Sequence, residues 1–197
     1  MSVLGLTGNL ATGKSTVLKL LKRKGAKVFN VDEKIHSHYR NKKSPVYKKV
    51  IASFPECIKA GVVLRKKLGS IVFSDKGKLK KLEKIIHPEV TKDLLKWVRQ
   101  AKSDKKKIYI AEVPLLFEKK LTRHFGKVIL IVVKKEVLIQ RIIKKYGLSK
   151  SKALSRLSLY GSIEKKIKGS DLIVDNSLNF KRFKKEVDLL WKKIKKN

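Results

Sequence analysis

Eight residues near the N-terminus, Gly8-Asn9-Leu10-Ala11-Thr12-Gly13-Lys14-Ser15, narrow the possible folds more than any other stretch of the chain. They match G-x-x-x-x-G-K-[ST] in full, and their surroundings fit the motif. Val3 to Thr7 is a short apolar run that reads as a buried strand. After Thr16 the apolar positions Val17, Leu20 and Leu21 recur at helical spacing, and Gly25 closes that helix as a C-cap would. A strand that turns through glycines into a helix aims main-chain N–H groups at an anion, and the helix N-terminus adds its partial charge. Gly8, Ala11, Thr12, Gly13 and Thr16 are therefore expected to line a triphosphate nest, with Lys14 reaching the β- and γ-phosphates. The Ser15 hydroxyl can take one Mg²⁺ position. An incidental glycine-rich turn would not need the flanking strand and helix.

The rest of the chain alternates in the same manner. Strands are expected at Lys27–Val31, Lys107–Val113, Lys127–Val133 and Asp171–Val174. Helices are expected at Glu33–Arg40, Val46–Phe54, Arg65–Phe73 and Lys78–Ala101, the last broken near His87-Pro88, and at Glu136–Tyr146 and Lys150–Tyr160. A C-terminal helix carries Phe180, Phe183, Val187, Leu190, Trp191 and Ile194 as one stripe. Such alternation indicates an α/β fold with a five-stranded parallel sheet wrapped by helices. The helical stretch between strands two and three is too long for one crossover and reads as an inserted subdomain for a second substrate.

Composition fits that reading. The 197 residues are 42% apolar, which is ordinary for a globular chain. No run approaches the ~18 apolar residues of a membrane-spanning helix, and Met1-Ser2-Val3-Leu4 lacks a basic leader pattern. With Cys57 the single cysteine, there is no internal disulfide and no multi-cysteine metal site, and the plain expectation is a cytoplasmic protein. The net charge of +35 is unusual. Its lysines are spread along polar helix faces without a basic tail or aromatic interleaving, so they read as solvated faces rather than a specific nucleic-acid site.

Ligands of open α/β sheets sit beyond the carboxyl ends of the strands, and two acids fall there. Asp32 follows strand two and suits a base for an attacking hydroxyl, a group that helps hold Mg²⁺, or an N-cap for the next helix; position alone leaves the functional and capping readings open. Glu112 closes strand three, where a Mg²⁺-side carboxylate or a strand-end salt bridge would stand, and Glu118 lies further into the following loop. His36, His38, His87 and His124 lack metal-ligand spacing and read as structural.

Taken together, Gly5 to Thr16, Asp32, Leu64-Arg65 with Val72-Phe73, Leu82-Glu83 with Ile86-His87-Pro88, Pro114-Leu115-Leu116-Phe117-Glu118, Gln140-Arg141 and Asp171…Asn176 resemble the dephospho-coenzyme A kinase family. The resemblance runs from Leu4 to about Asn176, and Pro114–Glu118 is its most distinctive segment. It implies a P-loop NTPase-type three-layer αβα fold with a core at 1–32, 105–135 and 170–197, a helical substrate insertion at about 33–104 and a lid at about 136–169. It implies ATP with Mg²⁺ as phosphoryl donor and the ribose 3′-hydroxyl of dephospho-CoA as acceptor. Asp32 would be the base; Arg65, His87, Pro114, Leu115 and Glu118 would lie on the acceptor side. Arg141 and Arg156 would be lid arginines, and Asn176 would stand on the nucleotide side.

Several residues depart from the family pattern. Asn9 and Ala11 replace glycines, Asn30 replaces an aspartate, Lys145 an arginine and Tyr160 a glutamine. These bear on the loop's freedom and on lid closure more than on the reaction class. The competing readings are another small-molecule P-loop kinase, for a nucleoside or nucleoside monophosphate, and a non-catalytic basic binder of nucleic acid. The second expects Lys14 or Asp32 to be lost, and both are present.

Overall fold

A computed structural model describes residues 3–104 and 106–196. The chain divides into two compact units, Met1–Asn30 with Trp97–Asn197, and Val31–Lys96.

The first unit is built on a parallel sheet of β1 (Val3–Gly8), β2 (Lys27–Asn30), β5 (Tyr109–Glu112), β6 (Lys127–Val132) and β7 (Leu172–Asp175), ordered β2-β5-β1-β6-β7. β1 is central and buried along its whole length, which explains its unbroken apolar run. Helices α1 (Lys14–Arg23), α6 (Lys135–Tyr146), α7 (Lys150–Leu157), α8 (Ile163–Lys168) and α9 (Phe180–Lys196) belong to this unit. Leu18 and Leu21 of α1 and Phe183, Val187 and Leu190 of α9 pack with Leu4, Leu6, Ile110 and Ile129 into one core. Register brings the carboxyl ends of three strands side by side, with Leu6 opposite Glu112 and Asn30 opposite Glu112. On the other flank Gly8 stands opposite Ile131.

The second unit comprises α2 (Val31–Arg40), α3 (Pro45–Ser53), a two-stranded hairpin of β3 (Ile58–Lys59) and β4 (Val62–Val63), α4 (Arg65–Ser74) and the first part of α5 (Lys76–Ser103). Its own core gathers Val46, Val50, Phe54, Leu68, Val72 and Ile86. His38 ties three of these helices together, its Nδ1 2.8 Å from Ser44 Oγ and its Nε2 2.8 Å from Asp93 Oδ2.

The break expected near His87-Pro88 is absent: α5 runs unbroken from Lys76 to Ser103 with Pro88 inside it. An interior proline costs a helix ~3 kcal/mol. Leu82, Ile86, Val90, Leu94, Val98 and Ala101 are buried on one stripe that passes through the proline, each contributing about 1.5–3 kcal/mol when large. Burial outweighs the lost hydrogen bond. Near its end Trp97 packs on Phe29 and Tyr109, with ring centroids 5.4 and 5.5 Å apart, so α5 passes from the second unit into the first at Lys96 rather than at residue 104. The helix expected over Lys150–Tyr160 ends at Leu157 and continues as a 3₁₀ turn at Ser158–Tyr160, followed by α8, which the periodicity did not indicate. Among the described residues no helix is long and apolar enough to cross a membrane.

Candidate active site

The loop between β1 and α1 is shaped by backbone positions with little freedom to vary. Gly8 has φ +151°, and a Cβ there would lie 2.6 Å from the Ile131 carbonyl oxygen. Gly13 has φ +96° and stands at the N-cap of α1 without a capping side chain; a Cβ there would meet Asn176 Nδ2 at 2.5 Å. Ala11 adopts φ +59°, the left-handed region, although it carries a side chain. That conformation costs a non-glycine residue roughly 1–2 kcal/mol. The loop therefore takes a glycine-like path at Ala11 and holds that strain.

Side chains then fix the path. Lys14 is nearly buried, and its Nζ donates to the Gly8 and Asn9 carbonyls at 2.9 and 2.8 Å. Thr12 Oγ1 donates to the same Asn9 carbonyl at 2.9 Å. Asn176, at the end of β7, donates through Nδ2 to the Thr12 carbonyl at 2.9 Å. Thr16 N–H bonds back to the Gly13 carbonyl at 3.0 Å, which closes the first turn of α1.

Glu112 is the buried acid of this region, 2% exposed at the end of β5. Ser15 Oγ donates to its Oε1 at 3.0 Å and Asn30 Nδ2 to its Oε2 at 2.8 Å. The two residues that the sequence offered for a metal thus stand in direct contact. Asn30 has a positive reason to be an amide, since it donates to a carboxylate where an aspartate would repel it.

The following loop is held against β1. Thr7 Oγ1 donates to the Pro114 carbonyl at 3.3 Å, and Leu116 is fully buried beside Gly5. Leu115 and Glu118 are partly exposed. Glu118 Oε1 is 2.8 Å from Lys166 Nζ, and Lys166 also donates to Asn9 Oδ1 at 3.1 Å. A cleft of about 280 Å³ is lined by Ala11, Gly13, Arg141, Lys144 and Lys145, which brings Arg141 beside the loop. The Arg156 guanidinium lies 5.5 Å from the Tyr146 ring centre and Lys145 Nζ 5.3 Å from it.

In the second unit Asp32 is the second residue of α2, exposed and inside the helix. Its N-cap alternative does not hold, because Val31 is already helical. One turn on, His36 meets Arg65, whose Nη1 lies 2.8 Å from Nδ1 and 2.6 Å from Nε2 of the ring. Partial burial and then the Arg65 charge push the His36 pKa down, which keeps the imidazole neutral as an acceptor for the guanidinium. His87 lies in α5 and is partly exposed.

Three participants escape sequence reasoning: Lys166, Asn30 as a donor to Glu112, and His36 as the partner of Arg65. The Asp32–His36 spacing of one helical turn could have suggested the last. Lys166 had no such signal, because it stands in a lysine-rich run like many others in the chain.

A nucleotide-shaped loop at the centre of a five-stranded parallel sheet, with an acid and a serine at its mouth, defines a P-loop phosphotransferase. The dephospho-CoA kinase family model matches residues 2–181, and the chain belongs to that family. It is 37% identical over 196 residues to the dephospho-CoA kinase of Aquifex aeolicus, covering 98% of each chain. It is 38% identical over 188 residues to that of Fusobacterium nucleatum, covering 94% of this chain and 95% of the relative. The solved dephospho-CoA kinase of Campylobacter jejuni superposes with a TM-score of 0.70 at 29% identity, covering 98% of this chain and 97% of that one.

Proposed function

We propose that the chain phosphorylates the ribose 3′-hydroxyl of dephospho-CoA with ATP, giving coenzyme A and ADP, the final step of coenzyme A synthesis. The observation that carries this reading is the family match over residues 2–181 on a chain whose phosphate loop is intact. In the transfer the 3′-oxygen forms a bond to the γ-phosphorus, and the bond from that phosphorus to the β,γ-bridging oxygen breaks. ADP keeps the electron pair. Asp32 takes the proton of the 3′-hydroxyl, and its exposed, first-turn position leaves it available to a substrate.

On the donor side the nest of Gly8, Ala11, Thr12, Gly13, Ser15 and Thr16 binds the triphosphate. Lys14 leaves its two carbonyl partners to neutralise the β- and γ-phosphates, and Arg141 closes on them from the cleft beside Ala11. Asn176 acts through Thr12, holding the nest's shape. Acceptor-binding roles fall to Arg65, set by His36, and His87 in the second unit, and to Pro114, Leu115 and Glu118 in the first. A hydroxyl and a buried carboxylate in contact are hard oxygen donors that fit Mg²⁺ at Ser15 and Glu112. Such an ion, when bound, neutralises charge on the phosphate oxygens.

The test is ADP release measured with dephospho-CoA, AMP, CMP, UMP and adenosine as acceptors. Turnover is expected with dephospho-CoA. Turnover of a monophosphate or of adenosine, with none of dephospho-CoA, would transfer the assignment to another small-molecule P-loop kinase.

A further inference from the structure

Lys166 is 2% exposed in a chain that carries 51 lysines and arginines. Its burial is at odds with ordinary lysine behaviour, since removing an ammonium from water costs several kcal/mol unless partners compensate. A long apolar side chain would fill the same space without that cost. An ammonium offers something an apolar chain does not, three directed donors. Here the ammonium donates to Asn9 Oδ1 at 3.1 Å and forms an ion pair with Glu118 Oε1 at 2.8 Å on a separate loop. The two buried carboxylate oxygens of Glu118 accept no hydrogen bond from the described residues, while the Tyr160 ring covers the cation at 5.5 Å.

Both anchor points matter for the site. The carbonyl of Asn9 is the one that accepts from Lys14 and from Thr12, so fixing the Asn9 side chain fixes the group that sets the rest position of Lys14. Glu118 ends the segment whose first residue, Pro114, accepts from Thr7, the residue before Gly8. A displacement of one loop is therefore felt by the other through a continuous chain of polar contacts. Two of the family departures, Asn9 and Tyr160, are the residues that receive and cover this lysine.

We propose that Lys166 is a positioning residue that couples the phosphate loop, through Asn9, to the Pro114–Glu118 loop, through Glu118. The coupling rests on the proposed function only for the statement that Glu118 belongs to the acceptor side. Its consequence is that a change at Glu118 alters ATP binding in the absence of any acceptor.

The test compares ATP affinity by calorimetry, kcat for dephospho-CoA and thermal midpoint in Lys166→Met, Glu118→Met, the double Met variant and Asn9→Ala. Each single variant is expected to weaken ATP binding by on the order of tenfold and to lower kcat by tenfold or more, about what a small misplacement of the reacting groups does. The double Met variant is the discriminating one. Replacing a buried pair by apolar side chains restores stability, so its midpoint is expected to return toward wild type while ATP affinity and kcat stay low. If the pair served stability alone, affinity and kcat would return with the midpoint, and the proposal would be overturned. Asn9→Ala cuts the link without exposing either charge, so a folded Asn9→Ala with ATP affinity and kcat within about twofold of wild type overturns it equally. ATP calorimetry needs no acceptor. Wild-type protein that binds ATP but leaves dephospho-CoA unphosphorylated would refute the acceptor assignment and leave this coupling open to measurement.

Discussion

The two units of the chain carry their candidate site residues on different principles. The phosphate loop is a backbone device: its oxygen and nitrogen positions follow from Gly8, Gly13 and a strained Ala11, with the β6 backbone closing on Gly8 and the Asn176 side chain on Gly13. Within Val31–Lys96 the candidate residues are side-chain devices: Asp32, His36 and Arg65 project from the helices α2 and α4. A triphosphate is the same in every P-loop enzyme, so the protein can recognise it with groups common to all residues. An acceptor differs from enzyme to enzyme, and helix-mounted side chains can be exchanged without disturbing the scaffold that carries them.

That contrast breaks most visibly by chemistry alone. Asp32→Asn keeps shape and removes the proton acceptor, so kcat should fall about a thousandfold, or about 4 kcal/mol of barrier. ATP affinity and the unfolding midpoint should stay near wild type, because Asp32 is exposed. Steady-state kinetics with calorimetric ATP binding reads both. A variant that retains most of its rate would show that the proton goes elsewhere.

The donor side should behave in the opposite way, losing fold and binding together. Gly8→Ala introduces a methyl 2.6 Å from a main-chain oxygen of β6, which cannot rotate aside. Stability should drop by about 3 kcal/mol, with ATP affinity falling in the same variant. Denaturant unfolding of the two proteins measures the difference, and an unchanged midpoint would mean that the strand ends yield more easily than their packing indicates.

A finer test lies at Asn30, the last residue of the first unit's N-terminal segment. Asn30→Asp would set a second carboxylate about where the amide now donates to Glu112 at 2.8 Å. One acid of such a pair holds its proton to a higher pH in the folded chain than in the unfolded one. The variant should therefore be close to wild type in mild acid and lose roughly 1–2 kcal/mol as pH rises toward 8. Unfolding midpoints at pH 5 and pH 8 give the comparison. A deficit that does not change with pH would leave repulsion out of the account. Added Mg²⁺ should shrink the deficit if Ser15 and Glu112 hold the ion.

These expectations draw unequally on what the sequence alone discloses. The strand–loop–helix unit was legible because its motif, apolar run and helical periodicity agree. The five parallel strands followed from alternation, with ends misjudged by a residue or two. Helix α5 was not legible across Pro88, because proline's local cost is visible in sequence whereas the burial that overrides it is tertiary. Asn30 read as a loss until its partner was known. Lys166 was hidden by composition: among so many solvated lysines, a buried one has no distinguishing neighbours along the chain.

The smallest expected effect concerns Ala11, where a backbone device has been given a side chain. Its φ of +59° is a conformation that glycine adopts without steric cost. Ala11→Gly removes that strain from the folded state, about 1 kcal/mol or somewhat more. It also frees the unfolded chain, which offsets about 0.4–1 kcal/mol of the gain. The net change in stability should be a gain of well under ~1 kcal/mol, and the unfolding midpoint should shift up slightly or not at all. Binding should respond differently from folding. Ala11 lines the cleft with Arg141, so a glycine there widens the space beside the nest and loosens the loop before ATP arrives. ATP affinity should fall by about twofold or less while the midpoint holds, as expected when ordering entropy is paid on binding. A clear loss of stability in Ala11→Gly would mean that the alanine methyl contributes packing that outweighs its strain, and the loop would then owe its shape to side chains as well as to its backbone.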